Sequence, residues 1–327
     1  MGLGPETAMS VAACLLLYSF AVAVLGPRLL VRLTRAGVAP RLGAAAWLAA
    51  IGSVVLSWAA AGGFLVGELV RDWNQPGRIL STCFAALRSA AVGSHGVLGQ
   101  IGLLVLTTFA ALALAVLGWT LARSLVRARA NTHDHARMAR LAGRQVTGLE
   151  AVVLDAPERL AYCVAGRPHT IVVTSAALDV LDAGQLGAVL SHERAHLAGR
   201  HHVLLALTRG LATILPRMGL FTTGAAEVSR LLEMCADDAA VRTHGSRALL
   251  GALLTLSGVA PIPTGALGAT GVGVLARAER LAAPPRPALR WRVRLLLSAI
   301  TVLLIAGPVL AGLLAASGMS FCGPASL

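Results

Sequence analysis

Four stretches of the chain are apolar and uncharged over about 20 residues or more, the length that a transmembrane helix needs. They run from about 7 to 27, 42 to 67, 97 to 122 and 295 to 318. A helix of that length crosses the ~30 Å hydrocarbon core of a bilayer. The pattern predicts a mainly α membrane protein with about four transmembrane helices, three of them in an N-terminal membrane domain of residues 1–122.

The first and last apolar stretches are both predicted to be transmembrane helices. A signal peptide carries basic residues ahead of its apolar region, whereas here the first basic residue, Arg28, follows it, so we expect a membrane anchor. The last stretch contains Pro308, which a spanning helix tolerates. We expect residues 291–327 to form one transmembrane helix and a short extracellular tail.

Residues 123–290, between the third and fourth stretches, have the pattern of a globular domain. Short runs with several apolar residues, the last two runs separated by a turn-like Gly-Arg-Pro, predict strands at Leu149–Leu154, Tyr162–Ala165 and Thr170–Thr174. Helical patterns follow these strands. We therefore expect an α+β domain that is inserted before the last span.

Capping signals and apolar spacing predict the helices of this domain. Asp182 and Gln185 have the spacing of a capping box, and Gly199 is a plausible end for the helix that they begin. A second helix is predicted at about 225–244. Residues 203–220 are apolar but interrupted, and a buried helix, a helix on the bilayer surface and a re-entrant hairpin all remain open; the interrupting residues are Arg209, Pro216 and Arg217.

Arginine side chains cluster beside the apolar stretches. Basic residues close to a span are retained in the cytoplasm, so their distribution predicts the topology. It places the N-terminus and the C-terminus outside a bacterial plasma membrane and the 123–290 domain in the cytoplasm. The clusters are Arg28, Arg32, Arg35 and Arg41; Arg123, Arg127, Arg129, Arg137, Arg140 and Arg144; and Arg290, Arg292 and Arg294.

The overall charge adds little to this picture. The chain has 28 basic residues, none of them lysine, against 15 acidic ones, and a net charge of +13. Because the arginines lie mainly beside the spans, we expect a lipid bilayer as partner and no direct contact with nucleic acid. The lack of ionisable groups within the spans argues against a transporter.

The helix that begins near Asp182 carries the H-E-x-x-H motif of His192, Glu193 and His196. Residues four apart share a helix face, so the two imidazoles can bind one Zn²⁺ per chain, and Glu193 can reach a water on that metal. The alternative is a helix whose histidines merely occupy a polar face.

Two downstream acidic residues favour the zinc site over this alternative. Catalytic zinc needs three protein ligands and one open position, and Glu233 on the second helix can complete a His₂Glu set. Asp237, one turn further, can accept a hydrogen bond from a ligand imidazole. The predicted activity is hydrolysis of peptide bonds, with Glu193 as the general base.

With these motifs, the stretch from about 161 to 280 resembles the BlaR/MecR-type integral membrane zinc metallopeptidases. It resembles more distantly the HtpX and CAAX prenyl protease group. The resemblance implies a gluzincin-like domain with the ligands and base given above. The matching segments are Ala161-Tyr162-Cys163-Val164-Ala165-Gly166, Thr170-Ile171-Val172-Val173-Thr174-Ser175, the helix through His196, and Glu233-x-x-Ala236-Asp237.

The resemblance also implies how a substrate is held. The strand edge of Ala161, Tyr162, Cys163 and Val164 would bind substrate backbone by strand addition. Arg280 would help to bind the scissile carbonyl. The His-Pro pair that precedes this arginine in the prenyl protease group is absent here, so a solvated helix arginine is the alternative.

The implied substrate is a cytosolic or membrane-associated protein, such as a BlaI-like transcriptional repressor. Quality control of membrane proteins, as in the HtpX group, is one alternative, and a non-enzymatic zinc-containing receptor or scaffold is another. The antibiotic-acylating Ser-x-x-Lys chemistry of BlaR-type sensors is excluded, because the sequence has no lysine. A homodimer is a further expectation.

Other histidines and cysteines are predicted to lie outside the zinc site. His201 and His202 read as polar residues at the end of the motif helix, and the pair His133 and His135 as solvated. Both Cys83 and Cys322 fall outside the membrane in the predicted topology, where an oxidising environment favours a disulfide between them; the alternative is two unpaired thiols.

Overall fold

A computed structural model describes residues 5–71, 96–146, 148–166, 168–257, 273–283 and 287–317. The described residues are mainly helical and form two compact units. The helical unit comprises residues within 1–29, 48–120 and 299–327, and the mixed unit comprises residues within 30–47 and 121–298.

Among the described residues, four helices are long and apolar enough to cross a membrane: α1 (Pro5–Thr34), α2 (Pro40–Arg71), α3 (Gly96–Ala142) and α9 (Pro287–Ala316). This agrees with the four spans predicted from the apolar pattern. Many of their large apolar side chains are exposed, such as Leu17, Phe20 and Ile305. Such surfaces suit contact with lipid rather than with water.

Small side chains and a few polar contacts hold the helical unit together. Val11, Ala12 and Leu15 of α1 pack with Ala61 of α2 and Ala315 of α9. A Cβ added at Gly307 of α9 would lie 2.4 Å from the ring of Tyr18. That hydroxyl donates to the carbonyl of Leu304 at 3.0 Å. Close approach without bulky side chains is the usual solution for helices that pack in a membrane.

Helix α3 is longer than its apolar stretch. The sequence predicted a span that ends near Ala122, whereas the helix continues to Ala142, and its residues from 121 onward belong to the mixed unit. One side of this extension carries polar residues, many of them arginine, and the other side carries small side chains. Ala136 and Ala139 on the small side are buried.

A four-stranded sheet forms one layer of the mixed unit. Its strands are β1 (Arg144–Gln145), β2 (Val152–Leu154), β3 (Ala161–Val164) and β4 (Thr170–Thr174), in the order β1-β2-β4-β3. β2 runs parallel to β4, and β3 runs antiparallel to it with Tyr162 opposite Val172. Of the strands in the described part of the chain, β3 is therefore at an edge of this sheet.

The two faces of the sheet are covered by different helices. Val164 and Val172 pack against Ala136 and Ala139 of α3. The other face packs against the helix that carries the H-E-x-x-H motif, through Ala161, Ile171, Val173, Val189 and Leu190. Successive side chains of β3 and β4 thus face opposite sides of the sheet, as they do in any strand.

The remaining helices are α4 (Ser175–Val180), α5 (Ala183–Ala198), α6 (His201–Ile214), α7 (Gly219–Leu256) and α8 (Val274–Ala282). The capping box predicted at α5 is present, since Asp182 accepts from the Gln185 amide and the Gln185 side chain accepts from the Asp182 amide. Gly199 caps the other end, as predicted.

The interrupted stretch 203–220 resolves into two helices and a turn. α6 ends at Ile214, and α7 begins at Gly219, so the break falls at Pro216 and its neighbours. α7 contains the helix predicted at 225–244 but is longer. Its backbone leaves the helical region at Gly245, where φ is 80°, one residue beyond the predicted end.

Candidate metal centre

The two histidines of the motif lie on the buried face of α5. His192 and His196 are 1% and 2% exposed. One helical turn separates them, so both rings project in the same direction. Their Nε2 atoms lie 3.1 Å apart. Their Nδ1 atoms are left to contact other residues.

Helix α7 supplies the third member of the cluster. Glu233 is buried, with one carboxylate oxygen 3.4 Å from Nε2 of His192 and the other 3.4 Å from Nε2 of His196. The three side chains together could hold a metal ion.

The spacing of these atoms fits zinc. Two ligands at the usual ~2.0–2.1 Å from a tetrahedral Zn²⁺ lie about 3.3 Å from each other. The separations of 3.1 and 3.4 Å are close to that value. Two imidazoles and one carboxylate are also the donor set of a catalytic His₂Glu site.

A second buried carboxylate faces the outer side of His192. Oδ1 of Asp237 lies 3.1 Å from Nδ1 of that ring. A carboxylate in this position favours the tautomer with hydrogen on Nδ1 and the lone pair on Nε2, the atom that faces Glu233 and His196. The sequence predicted this arrangement from the i+4 spacing of Glu233 and Asp237.

A buried arginine joins the two carboxylates of α7. Arg277 of α8 is fully buried and donates to both oxygens of Asp237, at 2.8 and 2.6 Å. Its remaining terminal nitrogen donates to Glu233 at 3.0 Å. The bidentate geometry makes this a strong charge-assisted contact.

Burial and neighbouring charges together set the pKa values of the cluster, and burial lowers the pKa of His196 to about 3 although Glu233 opposes the shift. Burial alone would raise the pKa of Glu233, but a hydrogen bond to His192 and the neighbouring His196 and Arg277 lower that pKa to about 2. Burial would likewise lower the pKa of His192, yet Asp237 and Glu233 raise it to about 9. The carboxylates thus favour positive charge where the Nε2 atoms meet, which a metal cation can supply.

The motif glutamate lies beside this cluster without belonging to it. Glu193 is 1% exposed, and burial raises its pKa to about 7, with Glu233 adding to the rise and His192 and Cys163 opposing it. Among the described residues, no hydrogen-bond partner of ordinary geometry reaches either of its carboxylate oxygens. A buried carboxylate in that state suits a group that takes a proton from a water molecule.

The strand predicted to hold substrate lies at the sheet edge. The carbonyl of Leu160 accepts from the amide of Thr174 in β4. Because backbone groups alternate in direction along a strand, those of Tyr162 and Val164 also face β4, and those of Ala161 and Cys163 face the free edge. Cys163 is also near Glu193, whose negative charge adds to the effect of burial in raising the pKa of the thiol.

Arg280 occupies a different place from the one that sequence reasoning assigned to it. Its guanidinium donates to Asp238 and to the carbonyl of Gly37, the latter at 2.9 Å. Arg277, three residues earlier, is the arginine that contacts the cluster. Arg277 and Leu281 are four apart on α8 and are both buried, so they lie on the same inward face of this helix.

The prediction for His201 was wrong. This residue is not a polar end of the motif helix but the first residue of α6, and it is buried. Its Nδ1 lies 2.9 Å from Nδ1 of His196. Burial lowers the pKa of His201 to about 4, so the ring is neutral.

The other histidines and cysteines considered from the sequence are not part of this cluster. His133 and His135 are exposed on α3, and Nε2 of His135 lies 3.3 Å from the hydroxyl of Tyr162. Cys83 and Cys322 lie outside the described residues.

Comparisons with known proteins support this chemistry for part of the chain. Residues 127–215 match the model of peptidase family M48. The matched stretch contains the sheet and the H-E-x-x-H helix but ends before Glu233. No curated protein and no solved structure gave a significant match. The chain is thus similar over this stretch to the M48 peptidases, which indicates a metallopeptidase, and its long apolar helices indicate a membrane protein.

Proposed function

We propose that this chain is an integral membrane zinc endopeptidase. The observation that carries the proposal is the convergence of His192, His196 and Glu233 at separations that fit one zinc ion, with Glu193 buried beside them. A structural zinc site has no need of a further buried carboxylate, with a pKa raised to about 7, next to its ligands. That carboxylate favours an enzyme over a receptor or scaffold.

In this proposal the side chains divide the work of peptide hydrolysis. Zinc, when bound, would acidify a water molecule and polarise the scissile carbonyl. Glu193 would take the proton from the attacking water and deliver it to the leaving amine. His192, His196 and Glu233 would hold the metal, and Asp237 would hold the His192 ring in its binding tautomer.

The substrate backbone would add to the free edge of β3. Outward-facing amide and carbonyl groups at Ala161 and Cys163 can pair with an extended peptide, as in other cases of strand addition. Because Cys163 is near Glu193, a peptide on this edge would pass the metal centre. Arg280 is left out of the mechanism, since Asp238 and Gly37 already engage its guanidinium.

We further propose that the domain faces the cytoplasm and cleaves a cytosolic or membrane-associated protein. The arginine clusters support the sidedness. A BlaI-like repressor is proposed as substrate by analogy with the BlaR/MecR-type proteins alone. Quality control of membrane proteins, as in the HtpX group, is the second candidate.

Comparison of protein fragments in cells that express the wild type or Glu193→Gln tests the proposal. We expect some fragments to be present only with the wild type. Fragments of a DNA-binding repressor would identify the regulator, and fragments of many membrane proteins would identify quality control. Identical fragment sets in the two strains would favour a non-enzymatic receptor.

A further inference from the structure

The two histidines of the metal centre have different outer partners. His192 faces the carboxylate of Asp237. His196 faces another imidazole, His201, with 2.9 Å between the two Nδ1 atoms and an angle of 88° between the ring planes. His201 is 7% exposed, so the contact is shielded from water.

The backbone between α5 and α6 is shaped to make this contact. Arg200 adopts the left-handed conformation, with φ 49°, and it is the one non-glycine residue in the described part of the chain with a positive φ. Non-glycine residues avoid this conformation unless the surrounding structure enforces it. The reversal at Arg200 lets His201 fold back over the end of α5.

Gly199 leaves the space that the His201 ring occupies. A Cβ added at Gly199 would lie 2.4 Å from Nε2 and 2.6 Å from Cδ2 of His201. The φ of Gly199 is −77°, which any residue can adopt. Its missing side chain therefore makes room for a ring rather than relieving backbone strain.

The proposed metal site determines which of the two Nδ1 atoms in this contact carries the hydrogen. His196 presents Nε2 to His192 and Glu233, so that atom must carry a lone pair when a metal binds. A neutral imidazole then has its hydrogen on Nδ1. That N–H donates to Nδ1 of His201, whose own hydrogen is on Nε2.

We propose that His201 is a positioning residue that fixes the tautomer and the ring orientation of the metal ligand His196. The inference rests on the proposed metal site and adds to it a neutral acceptor on one ligand, opposite the anionic acceptor Asp237 on the other. His201 is not an alternative ligand. Its Nδ1 faces His196, and the described side chains that converge as a metal-binding group are His192, His196 and Glu233.

Zinc affinity of the purified full chain, measured by competition with a chromogenic chelator, tests this role. His201→Ala removes the acceptor, and we expect zinc to bind about 10–100-fold more weakly, the range found when such outer partners are lost. His201→Asn keeps an acceptor oxygen in a similar position and should restore most of the affinity. His202→Ala, at the neighbouring histidine, is the matched control and should bind like the wild type.

A double-mutant cycle separates positioning from a general effect on folding. Gly199→Ala should displace the His201 ring and weaken zinc binding in the wild-type background. Its effect should be smaller in the His201→Ala background, where no ring remains to be displaced and only the contact of 3.1 Å with the carbonyl oxygen of Ala195 is left. The Co²⁺-loaded proteins give a second readout, since the visible absorption of Co²⁺ should change with His201→Ala and return with His201→Asn.

Each result bears on the proposal. Wild-type affinity in His201→Ala, no rescue by His201→Asn, or the same loss from Gly199→Ala in both backgrounds would overturn the positioning role. Failure of the wild type to bind zinc would overturn the metal site and this inference together. Proteolysis that persists in Glu193→Gln would overturn the proposed function and leave the role of His201 standing.

Discussion

At the scale of single residues, Arg277 links the metal centre to helix α8. It is fully buried and donates to Asp237 and Glu233, so its positive charge offsets part of the negative charge of two carboxylates that are excluded from water. Burial of unpaired charges is costly, and removal of one member of such a pair leaves the others uncompensated. The stability of the metal-free protein should therefore depend on this residue.

We predict that Arg277→Met lowers the free energy of unfolding of the metal-free protein by about 3–5 kcal/mol. Arg280→Met is the matched control on the same helix. It loses contacts to Asp238 and Gly37 that are partly exposed, so its cost should be about 1 kcal/mol or less. Chemical denaturation in detergent measures both. Equal losses would show that Arg277 has no special role in neutralising the site.

Residue spacing predicted part of the metal centre but not all of it. Residues His192, Glu193 and His196 share one motif, and Glu233 and Asp237 share one helical turn, so local periodicity was enough to group them. Arg277 and His201 could not be found in this way. One lies 40 residues beyond Asp237 in sequence, and the other is brought back by a left-handed backbone turn at Arg200.

At the scale of elements, the edge strand β3 carries the proposed binding of the substrate backbone, which can be tested by substitution. Its pairing with β4 uses the backbone groups of Leu160, Tyr162 and Val164, and those of Ala161 and Cys163 face outward. Proline lacks an amide hydrogen and is tolerated at a strand edge where that hydrogen points away from the sheet. A proline placed at an outward-facing position and a proline placed at a neighbouring position that faces β4 should therefore have different effects.

We predict that Cys163→Pro leaves the protein folded and able to bind zinc but lowers kcat/KM for a peptide substrate at least about tenfold, because one outward N–H is lost. Tyr162→Pro should instead destabilise the domain, because it breaks a hydrogen bond to β4. Peptidase assays and thermal unfolding measure the two effects. Full activity in Cys163→Pro would contradict substrate binding at this edge.

The elements that sequence reasoning found are those with local signals. The capping box predicted the start of α5, and short apolar runs predicted β2, β3 and β4 to within a few residues. The two-residue β1 has no pattern of its own and exists through its pairing with β2. The predicted end of the second helix at about 244 agrees with the break in the helical backbone at Gly245, but the helix begins at Gly219, before the predicted start at about 225.

At the scale of the whole molecule, the arginine distribution makes the topology testable. We predict that a cysteine introduced by Ala130→Cys, on the exposed polar part of α3, reacts with a membrane-impermeant maleimide only after the cells are permeabilised. After reduction, Cys83 and Cys322 should react in intact cells. Labelling of Ala130→Cys from outside would place the domain on the other side of the membrane.

The same topology leads to a prediction for the cysteines. Cys83 and Cys322 would share the oxidising side of the membrane, and we predict a disulfide between them. Mass spectrometry of peptides from native membranes, without reduction, should find the linked pair. Two free thiols would rule out this bond.

The most direct measurement of the central claim uses purified, zinc-loaded protein and an extract of membrane and cytosolic proteins. Wild type and Glu193→Gln are compared by their zinc content and by the new N-termini that each produces. Our account predicts one zinc per chain in both proteins and new N-termini with the wild type alone, because Glu193 transfers protons but does not bind the metal. Equal cleavage by the two zinc-loaded proteins would contradict it.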